Sequence, residues 1–297
     1  MFAAYITIAV TPLFDNLAAQ LYHKNLSLKD CRKNFSCKAM ILENFDNVAY
    51  NLGEVNNLSE ERLQKLISRA GLMSRREAEN FIVAGRVTVD GKIVNTLGAR
   101  ADSAVNKICV DGHELTFDAE KIYLLLNKPE GFLSAAVDKR GRATVLDLVK
   151  EISTRVYPCG RLDLNSSGLI LMTNDGELMN RLLHPRFKIS KTYRVKVDGE
   201  ITAEKINRLC TGIELDDGMT APAEVELIHA EKNSATFNIT IHEGRNRQIR
   251  RMLAAVGCKV KNLVRTKFAG LTLDGVAVGK YRHLTPAEVK RLYKLTS

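Results

Sequence analysis

The sequence predicts an α+β protein. A small module of two short helices and a hairpin precedes a larger domain built on a mixed, largely antiparallel sheet with flanking helices. Three observations carry this reading. Two capped helical periods, at 59–71 and 74–85, run directly into RVTVDGKIV, an alternating stretch broken by Asp90-Gly91, which is a strong hairpin signal. Beyond residue 121, strand-like and helix-like runs are interleaved without regular strand-helix-strand alternation. A length of 297 residues suits two domains and a tail.

Ser59 is placed to cap the first helix, with Glu60 and Glu61 in its first turn. Leu63, Leu66, Ile67 and Ala70 then follow at helical spacing, and Gly71 ends it. Ser74 and Glu77 form a capping box for the second helix, Phe81 and Ile82 supply its apolar face, and Gly85 ends it. Residues 1–57 show no sustained period and carry Asn-rich stretches, which predicts a poorly ordered extension. In the larger domain KIYLLLNKPEGFLS begins as an apolar strand and stops at Lys128-Pro129. GLILMT, KTYRVKV and ATFNITI are the clearest later strands, and ELMNRLLH and RQIRRMLAAVG carry helical spacing.

Composition limits the function. The formal charge of +10 comes from residues 58–297, because residues 1–57 hold five basic and five acidic side chains. Such an excess points to a polyanionic partner. The six cysteines form no C-x-x-C pair, so reduced thiols are expected rather than a metal site. No run is long and apolar enough to span a bilayer, and the N-terminus lacks the features of a secretory signal, so a cytoplasmic protein with no membrane partner is expected. Walker, G-x-S-x-G and H-E-x-x-H motifs are absent.

Within YPCGRLDLNSSGLILMTNDGEL, Asp163 sits in a turn just before an apolar strand. Catalytic groups collect on such loops, although on this stretch alone a turn or cap carboxylate is the commoner role for an Asp. In IHEGRNRQIRRMLAAVG, Ile249, Met252, Leu253 and Val256 make one apolar stripe and leave Arg247, Arg250 and Arg251 on another face. With Arg245 these arginines call for anions, either RNA phosphates or a carboxylate, the alternative being a merely solvated face. Tyr193 lies in a period-2 strand among Lys191, Arg194 and Lys196, either as a stacking surface for a base or as a half-buried packing residue. Arg69, Arg75, Arg76 and Arg86 gather at the ends of the two short helices, either as phosphate contacts or as a solvated charged surface.

The stretch LISRAGLMSRREAENFIVAGRVTVDGKIV resembles the S4 RNA-binding domain over residues 59–118. GRLD followed by an S-x-G-L strand, then KTY and EGRNRQIRRM, resembles the bacterial ribosomal-RNA pseudouridine synthases of the RsuA/RluB type. NKPEG, DKRGRATVLDLV, the segment 215–223 and GKYRHLT extend that resemblance, giving a synthase domain over 121–297. The resemblance implies that Asp163 is the catalytic carboxylate, Tyr193 the active-site tyrosine and Arg250 the arginine paired with Asp163. It places Leu263 beside the target base, and Arg161, Lys191, Arg245, Arg247 and Arg251 are further candidates for contact with RNA. A monomer acting on ribosomal RNA, more readily 23S than 16S, is expected. Isomerisation of uridine neither gains nor loses atoms, so no cofactor or metal is implied. A non-catalytic ribosome-assembly factor and a nucleoside hydrolase are the rival readings.

Overall fold

The computed structural model describes residues 60–117, 120–138 and 140–297. The extension 1–57 and the expected Ser59 cap lie outside the described residues. Two compact units form, residues 60–66 with 79–114 and residues 67–78 with 115–297.

Helix α1 spans Leu63–Arg69 and buries Leu63, Leu66 and Ile67. Its first turn is not acidic, contrary to expectation. Glu61 and Arg62 pair as a short strand with Ala101 and Arg100, and that pairing occupies backbone groups a helical turn would need. Helix α2 spans Arg75–Val83. Its capping box is present, with Glu77 N donating to Ser74 Oγ at 3.2 Å and Ser74 N to Glu77 Oε2 at 3.4 Å. Ala78 and Ile82 are buried on it, while Phe81 lies under the Arg86 guanidinium, 3.8 Å from the ring centroid. Strands β1 (Val87–Val89) and β2 (Lys92–Ile93) are joined by Asp90 and Gly91, both left-handed at φ 50° and 76°. This is the backbone that makes Asp-Gly a hairpin signal. With β3 (Ile108–Val110) and β4 (His113–Glu114) they complete a four-stranded sheet in the order β2-β1-β3-β4.

The second unit is organised by a nine-stranded sheet. Its labelled strands are β5 (Tyr123–Lys128), β6 (Tyr157–Cys159), β7 (Ser167–Thr173), β8 (Lys191–Asp198), β9 (Glu224–Glu231), β10 (Ser234–Ile241), β11 (Lys259–Phe268) and β12 (Tyr281–His283). The main order is β9-β10-β8-β11-β7-β5-β12, with β6 added to β7 and the short strand Leu271–Thr272 added to β11. Helices α3 (Gly176–Leu183), α4 (Ala203–Thr211), α5 (Gln248–Ala255) and α6 (Pro286–Lys294) flank it.

The apolar run GLILM is explained by burial on both faces of β7. Ile170 and Met172 join Val195 and Val197 of β8, Phe237 and Ile239 of β10, and Ile249, Met252, Leu253 and Val256 in one core. Leu169 and Leu171 point the other way, into a core with Leu178 and Leu182 of α3 and Leu292 of α6. On β8 the alternation buries Tyr193, Val195 and Val197 and exposes Arg194 and Lys196. Those two cations therefore leave from the sheet face opposite Tyr193.

Antiparallel pairing dominates, but β7 and β11 pair in parallel, Ser167 with Val264 and Gly168 with Arg265. The close approach depends on Gly168. A Cβ there would come within 2.3 Å of the Arg265 carbonyl oxygen, and φ is +108°. Gly168→Ala is expected to cost about 3 kcal/mol or more, because both strand separation and backbone must change. Thermal unfolding measures this, and an unchanged melting temperature would contradict the packing.

Candidate active site

The loop 162–166 is built almost wholly from backbone fastenings to the segment 128–134. Leu162 N donates to Ser134 Oγ and Ser134 Oγ donates to Leu162 O, each at 3.0 Å. Gly131 N donates to Leu164 O at 2.8 Å, and Ser166 N closes the turn on Asp163 O at 3.1 Å. Beneath it the fully buried Lys128 Nζ donates to Ser166 O at 2.7 Å, Pro129 O at 3.0 Å and Asp163 O at 3.2 Å. Burial pulls this ammonium down to about 8, with Glu130 and Asp163 opposing the fall. Three carbonyl dipoles satisfy the three donors of the charged form. NKPEGFLS thus ends a strand and also shapes the loop that carries Asp163.

Asp163 opens into a cleft of about 540 Å³, where Tyr193 and Leu263 are also lining residues. These three come from adjacent parts of the sheet. The loop feeds β7, Leu263 lies on the neighbouring β11, and Tyr193 lies on β8, the next strand across. Tyr193 is 8% exposed, so it packs in the core and lines the cleft at once. The two roles weighed for it from the sequence are compatible.

The carboxylate's ion-pair partner is Arg247, with Nη1 at 3.7 Å from Oδ2. This corrects the expectation that Arg250 makes that pair. Helix α5 begins at Gln248, and Arg247 stands before it in a left-handed conformation, φ 48° and ψ 32°. The three arginines therefore do not share one helical face. Arg250 Nη2 donates to Asn165 O at 2.5 Å and to Ser166 Oγ at 3.5 Å, so it holds the backbone of the Asp163 loop. It lines a separate shallow groove with Asn165, Arg247 and Lys259. Burial and then Arg247 lower its pKa, while Asp163 supports its charge.

Arg251 and Arg245 are engaged within the unit. Arg251 pairs with Asp216 at 2.5 Å and Asp217 at 2.8 Å. Arg245 donates to Met219 O at 2.5 Å and Gly218 O at 2.7 Å, and contacts Asp217 and Glu243, each at 3.3 Å. Both are thus held by the hairpin formed by Glu214–Leu215 and Gly218–Met219, part of the 215–223 segment. Arg245 still lines the cleft, as do the exposed Arg161 and the half-buried Lys191, whose Nζ donates to Ile189 O at 2.9 Å. In the small module Arg75 and Arg76 are exposed, and Arg69 stacks on Phe117 at 5.0 Å. Arg86 forks onto Asp111 at 2.7 and 2.5 Å, an intramolecular use of a side chain expected to meet phosphate.

Two cations near the site were not assigned roles by sequence reasoning. One is Lys128. The other is Arg265, 2% exposed, which lines the cleft and donates from Nε to Leu169 O at 2.6 Å. Its signal was a charged residue on the inward phase of β11, two residues after Leu263.

Residues 122–255 match the family model described as RNA pseudouridylate synthase, and residues 61–103 match the S4 domain. A Bacillus subtilis protein named ribosomal large subunit pseudouridine synthase B is 48% identical over 237 residues, covering 79% of this chain and 96% of the relative. The Salmonella typhimurium protein of the same name is 41% identical over 239 residues, covering 78% and 82%. A crystal structure titled pseudouridylate synthase aligns with a TM-score of 0.56 at 30% identity, covering 78% of this chain and 99% of that one. The chain therefore belongs to the RNA pseudouridylate synthase family and carries an S4 domain before its synthase domain.

Proposed function

We propose that this pseudouridine synthase isomerises a uridine of 23S ribosomal RNA in the cytoplasm, as a monomer without cofactor, using Asp163 as its catalytic carboxylate. The observation that carries the reading is the meeting of Asp163, Tyr193 and Leu263 in one cleft beside the Asp163–Arg247 ion pair. The large-subunit substrate rests on the names of the Bacillus and Salmonella relatives.

A uridine must leave its stack to reach this cleft, which costs a few kcal/mol. Tyr193 and Leu263 provide aromatic and aliphatic surface against the base. Asp163 serves the sugar side, where the bond from C1′ to N1 breaks and the bond to C5 forms. Lys128 and Ser134 fix the loop from below, so the carboxylate needs little reorganisation when substrate arrives. The S4 domain adds phosphate contacts and raises local RNA concentration without selecting the target.

Asp163→Asn keeps the side-chain shape and removes the anion. RNA affinity should stay nearly unchanged while pseudouridine formation falls below a few per cent of wild type. Filter binding and mapping of pseudouridine in 23S ribosomal RNA measure the two quantities. Binding without modification by the unaltered protein would favour an assembly factor, and release of uracil would favour a hydrolase.

The two neighbouring arginines separate charge from geometry. Arg247→Gln should slow turnover on the order of tenfold or more, and Arg247→Lys should recover much of it, since a point charge suffices beside Asp163. At position 250 the same lysine replacement should fail, because a guanidinium spans Asn165 O, Ser166 Oγ and Val260 O. Equal rescue by lysine at both positions would contradict this division of roles, with single-turnover rates as the readout.

A further inference from the structure

The cleft holds more positive charge than its own carboxylates use. Arg161, Lys191, Arg245, Arg247 and Arg265 line it, five cations against the two carboxylates Asp163 and Glu243. Both carboxylates already have partners. Arg247 faces Asp163, and Glu243 is engaged by Arg245 and, at 2.5 Å, by Gln248 Nε2. What remains uncompensated is deepest at Arg265. Its Nε is satisfied by the Leu169 carbonyl, but its buried Nη2 has no hydrogen-bond partner among the described residues. A buried guanidinium with an unused donor is costly, and in native structures such a group is met by an ordered water, an ion or a ligand.

The surroundings define what that ligand can be. Arg265 is the register partner of Tyr193 across β8 and β11, and Leu263 precedes it on the same strand face. Its guanidinium lies 5.1 Å from the centre of the Phe268 ring, and Ile189 and Ile241 are further apolar lining residues. A phosphate diester keeps its charge hydrated and suits the exposed Arg161 at the mouth. The walls around Arg265 suit a flat ring with polar edges. The local excess of charge is also felt by Lys191, whose ammonium is lowered by burial first and by Arg265 second.

We propose that Arg265 donates to a carbonyl oxygen of the flipped uracil and stabilises the negative charge the base carries once its glycosidic bond is broken. This rests on the isomerase reading above. When the C1′–N1 bond breaks, its electron pair stays with the base, and a carboxylate oxygen of Asp163 bonds to C1′. One negative charge thus passes from Asp163 to uracil, spread over N1, O2 and O4. In a glycal route Asp163 takes the C2′ proton instead, the base carries the same charge, and the proton returns from Asp163 to C2′ as C5 bonds to C1′. Rejoining through C5 returns the electrons to C1′, releases the carboxylate, and transfers the C5 proton to N1. Arg265 keeps its protons throughout and acts by charge and hydrogen bonding, as preorganised donors do at developing oxyanions.

The test uses the full chain and 23S ribosomal RNA transcribed with either [5-³H]uridine or 5-fluorouridine. Fluorine makes uracil a better leaving group, so it lessens the need for help from the protein. Single-turnover tritium release reports the first RNA, and mass spectrometry of nuclease digests reports consumption of fluorouridine in the second. Arg265→Met should slow the uridine reaction on the order of a hundredfold with RNA affinity within about twofold. Its loss on fluorouridine RNA should be at least about tenfold smaller. Should this variant melt below the assay temperature, Arg265→Lys carries the same comparison, with a smaller loss on uridine RNA and a still smaller one on fluorouridine RNA. Equal losses on the two RNAs, or a loss confined to affinity, would overturn the proposal by leaving Arg265 a merely structural role. Absence of tritium release by the unaltered protein would instead overturn the isomerase reading on which it rests.

Discussion

Lys128 places a fully buried ammonium under the loop that presents Asp163, and its three hydrogen bonds all end on backbone carbonyls. A charge taken out of water must be fully satisfied, and carbonyls from positions 129, 163 and 166 meet that requirement only if the loop closes over it. The position of the Asp163 carboxylate is therefore set by a buried charge that bonds the backbone of its loop. Ser134 and Gly131 add bonds from the same segment, and Arg250 grips the loop from the other side through the Asn165 carbonyl.

The sheet makes this arrangement possible by bringing distant parts of the sequence side by side. The loop, β11 and β8 contribute Asp163, Leu263 with Arg265, and Tyr193 from neighbouring positions in the sheet. Gly168 lets the Arg265 backbone approach at the parallel pair, so the floor and the rim of the cleft share one contact. Positive charge is then distributed by depth. Arg161 is exposed, Arg247 serves the Asp163 carboxylate, and Arg265 waits among apolar walls.

The hairpin at 214–219 assigns a different role to two arginines of the same cluster. Asp216 and Asp217 absorb Arg251 and part of Arg245, which ties helix α5 and the loop before it to a second element. Repulsion among four closely spaced arginines is thus relieved internally at two of them, leaving Arg247 and Arg250 directed at the Asp163 loop.

Much of this was determined by the sequence alone. The Asp90-Gly91 hairpin, the Ser74–Glu77 capping box and the strand GLILMT follow from local backbone and patterning rules that act over a few residues. The family resemblance carried by the ordered motifs grouped Asp163, Tyr193 and Leu263, and all three line one cleft. The tertiary structure decided what the motifs could not. A one-residue difference in where α5 begins puts Arg247 in a left-handed turn and gives it the carboxylate expected for Arg250. Lys128 and Arg265 read as ordinary strand-end or strand cations until their burial and the carbonyls around them are seen. Side-chain partners of this kind are fixed by strands that meet only after folding, and no spacing rule along the chain encodes which pairs will meet.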